Sequence, residues 1–112
     1  MSRPFRLGAL DFCHLHDGTW PVQVLCETLD LAPRVESFGY SRYWLAEHHN
    51  PSIAHGSPEV LLPLVAASTS SMRVGTAGIL LNYYSPYKVA SVFRALSALF
   101  PQRIDLGLAR GS

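Results

Sequence analysis

The chain alternates short apolar runs with longer segments in which apolar residues recur at helical spacing. The short runs are predicted to be strands and cover residues 5–10, 43–46, 72–81 and 103–109. The longer segments predict helices over residues 21–39, 57–69 and 85–101. Ser57-Pro58-Glu59 is a typical helix start, since a hydroxyl caps and proline suits the first turn. Pro33 lies inside the first helical segment, where an interior proline costs about 3 kcal/mol, so we expect a kink or an early end there.

The element order is therefore β-α-β-α-β-α-β, with a connection of helical length between each pair of strands. Such connections require parallel strands and right-handed crossovers. A (β/α)8 barrel has eight such modules in about 250 residues. We therefore expect residues 1–112 to form a single α/β domain that corresponds to the first half of a TIM-type barrel. A four-stranded doubly wound sheet is the alternative, although the glycine-rich dinucleotide motif does not follow the first strand.

Composition changes this picture in one respect. Hydrophobic residues make up 48% of the chain and charged residues 15%, below the roughly 25% that is usual for soluble domains. A small domain has much surface for its volume and should be more polar than average. We therefore expect another chain, or the rest of a larger fold, to cover apolar surface, as in a homo- or hetero-oligomer.

Several classes of function are disfavoured by charge, hydropathy and cysteine usage. The net charge is +1 and the basic residues are scattered, so no nucleic-acid partner is expected. The apolar runs are shorter than the ~18 residues that a membrane span needs, so no membrane partner is expected either. Cys13 and Cys26 lack the pattern of a disulfide framework or a metal site. A cytoplasmic location is therefore predicted.

Chemistry-bearing residues lie where the predicted strands end. The second strand runs directly into Glu47-His48-His49, the first ends at Asp11, and the fourth is followed by Arg110-Gly111-Ser112. The carboxyl ends of parallel strands share one edge, where sites of β/α folds lie. An imidazole can act as acid or base, and a guanidinium beside glycine suits a phosphate. Small residues in the third strand leave room for a flat ligand, so a flavin would fit this set.

A family resemblance sharpens that expectation. The chain resembles the N-terminal half of bacterial luciferase-like, flavin-dependent monooxygenases in five blocks that occur in order: residues 39–50 (GYSRYWLAEHHN), 57–61 (SPEVL), 73–81 (RVGTAGILL), 86–90 (PYKVA) and 102–111 (QRIDLGLARG). The resemblance implies a (β/α)8 barrel that uses reduced FMN and dioxygen to oxygenate a small organic substrate. It also implies a flavin reductase as the source of reduced FMN.

The same resemblance assigns roles to particular residues. His48 matches the catalytic histidine of the family's motif, and Glu47 beside it could orient an imidazole, so both are predicted catalytic residues. Arg110 matches an arginine that contacts the flavin phosphate. The small pair Ala77-Gly78 matches residues that lie against the flavin ring, at a place where the family can carry a non-proline cis peptide. Asp11 matches a first-strand position that lines the pocket.

Two other functions remain open at this point. The first is a non-catalytic half-barrel that assembles with a partner or stabilises it. The second is the start of a metal-dependent amidohydrolase barrel, since His14-x-His16 follows the first strand and zinc binds imidazoles readily. Asp17 and His55 could then be further ligands. The later strands that would complete such a site are not in this chain, so we predict no metal site.

Other conspicuous residues are predicted to be structural. Cys26 falls on the apolar face of the first helix and is expected to be buried. Trp20 and Trp44 are interpreted as packing residues. Arg94 and Arg103 are interpreted as solvated surface charges.

Overall fold

The computed structural model describes residues 5–111 and has ten elements. In chain order they are β1 (Gly8–Asp11), α1 (Pro21–Ser37), β2 (Arg42–Leu45), α2 (Pro58–Ser68), β3 (Arg73–Thr76), β4 (Ile79–Leu80), a 3₁₀ turn (Leu81–Tyr83), α3 (Pro86–Leu99), β5 (Ile104–Asp105) and β6 (Leu108–Ala109). Along this described part, none of the helices has the length and apolar composition that a bilayer crossing requires.

The strands form a parallel sheet whose order follows the chain. β1, β2, β3 and β5 are neighbours in that order, and β4 pairs with β6 as a short parallel extension. This confirms the predicted parallel β/α arrangement. A doubly wound sheet would show a reversal of strand order, and the described strands show none.

The core lies between the sheet and its helices. Alternate residues of the strands face the helices, and four of them are completely buried: Tyr43, Leu45, Val74 and Thr76. They pack with the apolar faces of α1 and α2, which include Val24, Ala32, Leu62 and Val65. The opposite face of the sheet is more open, since Leu10 is 50% exposed there.

The third and fourth predicted strands are each divided in two, which the sequence pattern did not predict. The peptide bond between Ala77 and Gly78 is cis and separates β3 from β4. Opposite this break, a Cβ on Gly107 would lie 1.9 Å from the carbonyl oxygen of Thr76, so only glycine fits. Thr76 Oγ1 lies 3.1 Å from the carbonyl oxygen of Gly107 and 3.2 Å from its amide nitrogen.

The first helix does not end early at Pro33. α1 continues to Ser37, because its buried residues, among them Ala32 and Val35, fix it against the sheet on both sides of the proline. The chain then turns at Gly39, whose φ of 87° favours glycine.

Three residues expected to be structural have other environments than the sequence indicated. Cys26 is exposed on α1, because the buried stripe of that helix runs through Val24 and Thr28 instead. Trp20 is 74% exposed at the N-cap of α1. Arg103 is not a solvated charge, since its guanidinium donates to the Met72 carbonyl (2.8 Å) and to Thr69 Oγ1 (2.6 Å).

A carboxylate connects the end of α1 to the start of β3. Glu36 accepts hydrogen bonds from the backbone N–H groups of Ser70, Ser71 and Met72, the last two at 2.8 and 2.7 Å. Desolvation would raise the pKa of Glu36, but these donors together outweigh it and hold the pKa below its ordinary value.

Replacing Glu36 by glutamine should lower the free energy of unfolding by about 1–2 kcal/mol at pH 7, because three N–H groups lose a charged acceptor. A carboxyl whose pKa is lower in the folded state stabilises above its unfolded pKa, and this stabilisation is lost as the pH falls through the folded value. The difference between wild type and variant in urea unfolding should therefore shrink below about pH 4.

Glu27→Gln is a matched control, because Glu27 faces His16 at 3.2 Å in an ion pair more than half exposed on both sides. Such surface pairs contribute about 0–1 kcal/mol. Equal effects of the two substitutions would contradict the role of Glu36.

Candidate active site

The carboxyl edge of the sheet borders a cavity that contains most of the polar residues singled out from the sequence. Its volume is about 370 Å³, and it is lined by Glu47, His48, His49, Asn50, Leu80, Tyr83, Arg110 and Gly111. The lining comes from Leu80 at the end of β4 and from the segments that follow β2, β4 and β6. The topology thus brings together side chains that are more than 60 residues apart in sequence.

Glu47 is the best-fixed group at this edge. It directly follows the buried end of β2 and is only 1% exposed. Its carboxylate accepts hydrogen bonds from the Leu80 amide (3.1 Å), from His49 Nε2 (2.6 Å) and from the Tyr84 hydroxyl. Because a buried carboxylate needs such donors, Glu47 joins β2, β4 and the segment before α3.

The two adjacent imidazoles have different surroundings. His49 is the one that Glu47 holds, and it meets the Tyr83 ring edge-on at 6.0 Å. His48 instead stacks on Phe12, with ring centroids 5.1 Å apart and an interplanar angle of 26°. The sequence suggested that Glu47 could orient an imidazole, and the structure identifies that imidazole as His49.

Tyr84 was not singled out from the sequence, yet it completes the environment of Glu47. Desolvation, the hydrogen bond to Glu47 and the charge of that carboxylate all raise the pKa of Tyr84. The hydroxyl therefore stays protonated and donates at neutral pH. The sequence contained one indication of this role. Tyr84 lies directly before the Ser85-Pro86 helix start, and the segments between a strand and the next helix lie at the carboxyl edge of the sheet, where Glu47 also lies.

Arg110 lies at the open side of the cavity, and the backbone after it is held in place. Asn82 receives a hydrogen bond from the Gly111 amide (2.8 Å) and donates to the Gly111 carbonyl (3.3 Å). A Cβ on Gly111 would come within 2.6 Å of the Tyr83 ring. Asn82 therefore sets the path of the Arg110 loop, a role that the sequence did not reveal.

Ala77 and Gly78 lie at the strand break and are not among the residues that line this cavity. Ala77 is exposed, whereas Gly78 packs closely against the chain before β6, where a Cβ would lie 2.9 Å from the Leu108 carbonyl carbon. Their predicted contact with a flavin ring stays a prediction.

Asp11 is directed toward α1. One carboxylate oxygen accepts hydrogen bonds from Thr28 Oγ1 (2.7 Å) and the Tyr43 hydroxyl, and the other from the Cys13 amide (2.8 Å). Burial alone would raise the pKa of Asp11, but these donors hold it below its ordinary value. Both oxygens thus have protein partners, so Asp11 anchors α1 to the sheet, and its predicted part in lining a pocket gains no support from this geometry.

The histidines of the metal-site alternative are dispersed. His14 stacks on Phe12 and His16 pairs with Glu27. His55 Nδ1 accepts from the Ser57 amide at 3.0 Å, and burial lowers the pKa of His55. Within residues 5–111, no group of three or more potential ligand side chains could hold a metal ion.

A smaller cavity of about 120 Å³ lies beside α3 and is mainly apolar. Its lining residues are Glu59, Ile79, Tyr84, Lys88, Val89, Val92 and Phe93. It shares only Tyr84 with the hydrogen-bond network of Glu47.

The parallel β/α fold and the polar residues at the carboxyl edge of its sheet define a segment of a β/α barrel. The candidate site lies at the carboxyl ends of the strands. The model for the family described as luciferase-like monooxygenase matches residues 6–112, and the chain belongs to that family. This confirms the resemblance seen in the sequence and removes the amidohydrolase alternative.

Known members cover nearly the whole chain. The N-acetyl-S-alkylcysteine monooxygenase of Bacillus subtilis (strain 168) is 47% identical over 94% of this chain and 32% of its own length. The solved structure of apo-MsnO8 has a TM-score of 0.91 at 44% identity, covering 95% of this chain and 32% of its own. The chain therefore spans about a third of the length of the relatives it matches.

A more distant structure shows that the fold persists at low identity. The oxygenating constituent of 3,6-diketocamphane monooxygenase from Pseudomonas putida, solved in complex with FMN, has a TM-score of 0.87 at 22% identity. It covers 96% of this chain and 30% of its own.

The contacts of Glu47 predict how substitutions will rank in stability. Tyr84→Phe removes one of three donors and should lower the free energy of unfolding by about 1 kcal/mol. Glu47→Ala leaves those donors without their acceptor and opens a void, so it should cost about 2–4 kcal/mol. Tyr87→Phe is the control, since Tyr87 is 85% exposed. A loss in Tyr87→Phe as large as in Tyr84→Phe in urea unfolding would show that the Tyr84–Glu47 bond contributes nothing.

Proposed function

We propose that this chain supplies the N-terminal part of the active site of an FMN-dependent monooxygenase, which uses reduced FMN and dioxygen to oxygenate a small organic substrate. The observation that carries the proposal is the cavity at the carboxyl edge of the sheet. It combines the exposed guanidinium of Arg110, the imidazoles of His48 and His49 and the buried carboxylate of Glu47 in a chain of the luciferase-like family. The FMN of the diketocamphane enzyme, a protein of the same fold, supports this choice of cofactor.

The residues at the rim fit a phosphate-bearing flavin. Arg110 is exposed at the cavity edge and offers the planar donor set that binds phosphate well. Gly111 follows it, and its N–H group is held by Asn82. Arg110 would hold the phosphate, while Tyr83, Ala77 and Gly78 would border the ring. When bound, reduced FMN supplies the electrons with which dioxygen is activated.

His48 is proposed to give or take a proton at a ring nitrogen. Its stacking on Phe12 fixes the plane of the ring, and within residues 5–111 no hydrogen bond occupies its nitrogens. His49 differs, because its Nε2 is committed to Glu47. Glu47 would therefore act by holding His49 and the wall of the cavity in place.

The proposal includes partners that the whole enzyme needs. A flavin reductase would supply reduced FMN, and a complementary half or an oligomer would complete the barrel. A cytoplasmic location belongs to the same proposal and is supported by the free thiols of Cys13 and Cys26.

A non-catalytic half-barrel that assembles with or stabilises a partner is the second candidate. It is favoured by the apolar side chains exposed along the strands, such as Leu10 and Leu108, which are at least half exposed. Flavin binding separates the two candidates. If neither the chain nor its complete assembly changes the fluorescence of added flavin, the half-barrel is favoured and the proposal of an enzyme is overturned.

The phosphate assignment can be tested with a pair of ligands. In an assembly that binds FMN, Arg110→Met should weaken FMN binding by roughly 10–100-fold, since a charge-assisted bond contributes about 1.5–3 kcal/mol. Riboflavin has no phosphate, so its affinity should stay within about twofold. Arg94→Met, on the exposed face of α3, is the control. Equal losses for FMN and riboflavin would refute a phosphate contact.

If His48 is the acid or base, substitutions of His48 and His49 should differ in their effects on activity and stability. In an assembly that turns over, His48→Ala should lower the oxygenation step by about 10²–10⁴-fold, as expected for the loss of a positioned acid or base. The free energy of unfolding should hardly change, because His48 is exposed. His49→Ala should cost less activity and more stability, because it breaks the bond to Glu47.

Single-turnover rates and urea unfolding of both variants give the two rankings. If both substitutions leave turnover intact, or if His48→Ala unfolds the protein, His48 is structural.

A further inference from the structure

The smaller cavity beside α3 shares no lining residue with the cavity at the carboxyl edge. Its walls come from α2, β4, the segment before α3 and α3 itself. Ile79, Val89 and Phe93 are buried there, and Val92 is partly buried. An apolar cavity of about 150 Å³ can bind benzene. A volume of about 120 Å³ therefore leaves room for a short hydrocarbon group.

The position of this cavity does not depend on further modules of a barrel. The main sheet has the order β1, β2, β3, β5, so later modules would be added beyond its two outer strands. The helix α2 connects β2 to β3, and α3 leads to β5. The space between α2 and α3 thus lies inside the series of elements that this chain supplies.

Glu59, which lines the cavity, has a carboxylate oxygen without a hydrogen-bond donor. Within residues 5–111, its Oε2 is buried and has no partner. Glu59 belongs to the first turn of α2, where the helix dipole favours an acidic residue. The dipole explains a carboxylate at this position, but it does not explain an oxygen that is withdrawn from water and lacks a donor. Burying a charged group is costly unless the group is paired.

The polar neighbours of Glu59 in this cavity do not satisfy it. Lys88 lines the same cavity, yet in the described part of the chain no ion pair connects the two side chains. Lys88 is exposed, so its ammonium group can stay in water while its methylenes border the cavity. The Tyr84 hydroxyl donates to Glu47 instead. Glu59 therefore needs a donor that these neighbours do not provide.

The carboxylate of Glu59 also lies close to the network of Glu47. Desolvation and Glu47 are the main causes that raise the pKa of Tyr84, and the charge of Glu59 is a further one. Tyr84 thus separates the two carboxylates. A molecule in the cavity would be next to the side chain that helps to hold Glu47 and, through it, His49.

We propose that this cavity binds a small primary alkylammonium ion, whose N–H groups donate to Glu59 and whose hydrocarbon group contacts the apolar walls. The cation supplies both the charge and the donors that the buried oxygen lacks. A neutral hydrocarbon would leave Glu59 unpaired, and an anion would be repelled by it. This site needs no flavin, so the proposal goes beyond the proposed function and is tested independently of it.

The test titrates n-butylammonium and n-butanol into the full chain, or into its complete assembly, by calorimetry. The two probes share a hydrocarbon group and differ in charge. We expect saturable binding of n-butylammonium, at least about tenfold tighter than that of n-butanol, because hydrogen bonds between charged groups are the stronger ones. The affinity of n-propylammonium should be about three- to fourfold lower, since one methylene fewer is buried.

Four variants locate the site. Glu59→Gln keeps the size of the side chain and removes its charge, so the preference for the ammonium ion should fall to within about twofold. Val92→Phe fills the cavity and should abolish binding of both probes. Lys88→Met should not weaken the binding of n-butylammonium. Glu27→Gln, which removes a carboxylate from the exposed pair with His16, is the control and should have no effect.

Circular dichroism and urea unfolding of each variant separate lost binding from lost folding, and Glu59→Gln serves if Val92→Phe is unfolded. Absence of saturable binding, or equal affinities of the wild type for the two probes, would overturn the proposal. The same holds for a retained preference in Glu59→Gln, full binding by a folded Val92→Phe, or a loss in Lys88→Met or Glu27→Gln as large as that in Glu59→Gln.

Discussion

The buried carboxylate of Glu47 is the constraint on which the candidate site depends. A carboxylate that is 1% exposed must be surrounded by donors, and here they come from β4, from the loop before α3 and from His49. Satisfying this group thus fixes the edge of the sheet. It also separates the two imidazoles, since His49 is tied to the protein and His48 is left facing the cavity.

A second constraint is the asymmetry of the sheet. Helices cover one face, on which Tyr43 and Val74 are fully buried, whereas the other face carries Leu10, Arg42 and Trp44. Glycines permit the close contacts there and at the rim: Gly75 lies under Trp44, and Gly107 touches the Thr76 carbonyl. The exposed Leu10 adds apolar surface to this second face, which is suited to the interior of a larger barrel. The cavity at the carboxyl edge has only the walls that residues 5–111 provide, and one face of the sheet carries no helix in this part of the chain. The further modules of a larger barrel would complete both.

The sequence alone determined the element order, the parallel sheet and the family, because helical spacing, proline-led helix starts and the blocks around Glu47 and Arg110 are local signals. It also indicated which strand ends carry chemistry. It did not determine the strand breaks at Ala77-Gly78 and Gly107, since these depend on two strands that approach each other from different parts of the chain. For the same reason the partners of Asp11, Glu36 and Arg103 could not be predicted.

Only the tertiary structure decided which imidazole Glu47 holds. Adjacent residues give no sequence signal for side-chain direction once a strand has ended. The Tyr83 ring beside His49 and the Leu80 amide on Glu47 both come from segments distant in sequence. The exposure of Cys26 has the same origin, because the packing of α1 on Asp11 and Tyr43 through Thr28 sets the rotation of the helix. Periodicity in the sequence locates the apolar face of a helix to within about one residue. Contacts with residues distant in sequence then decide the rotation of the helix and which side chains are buried.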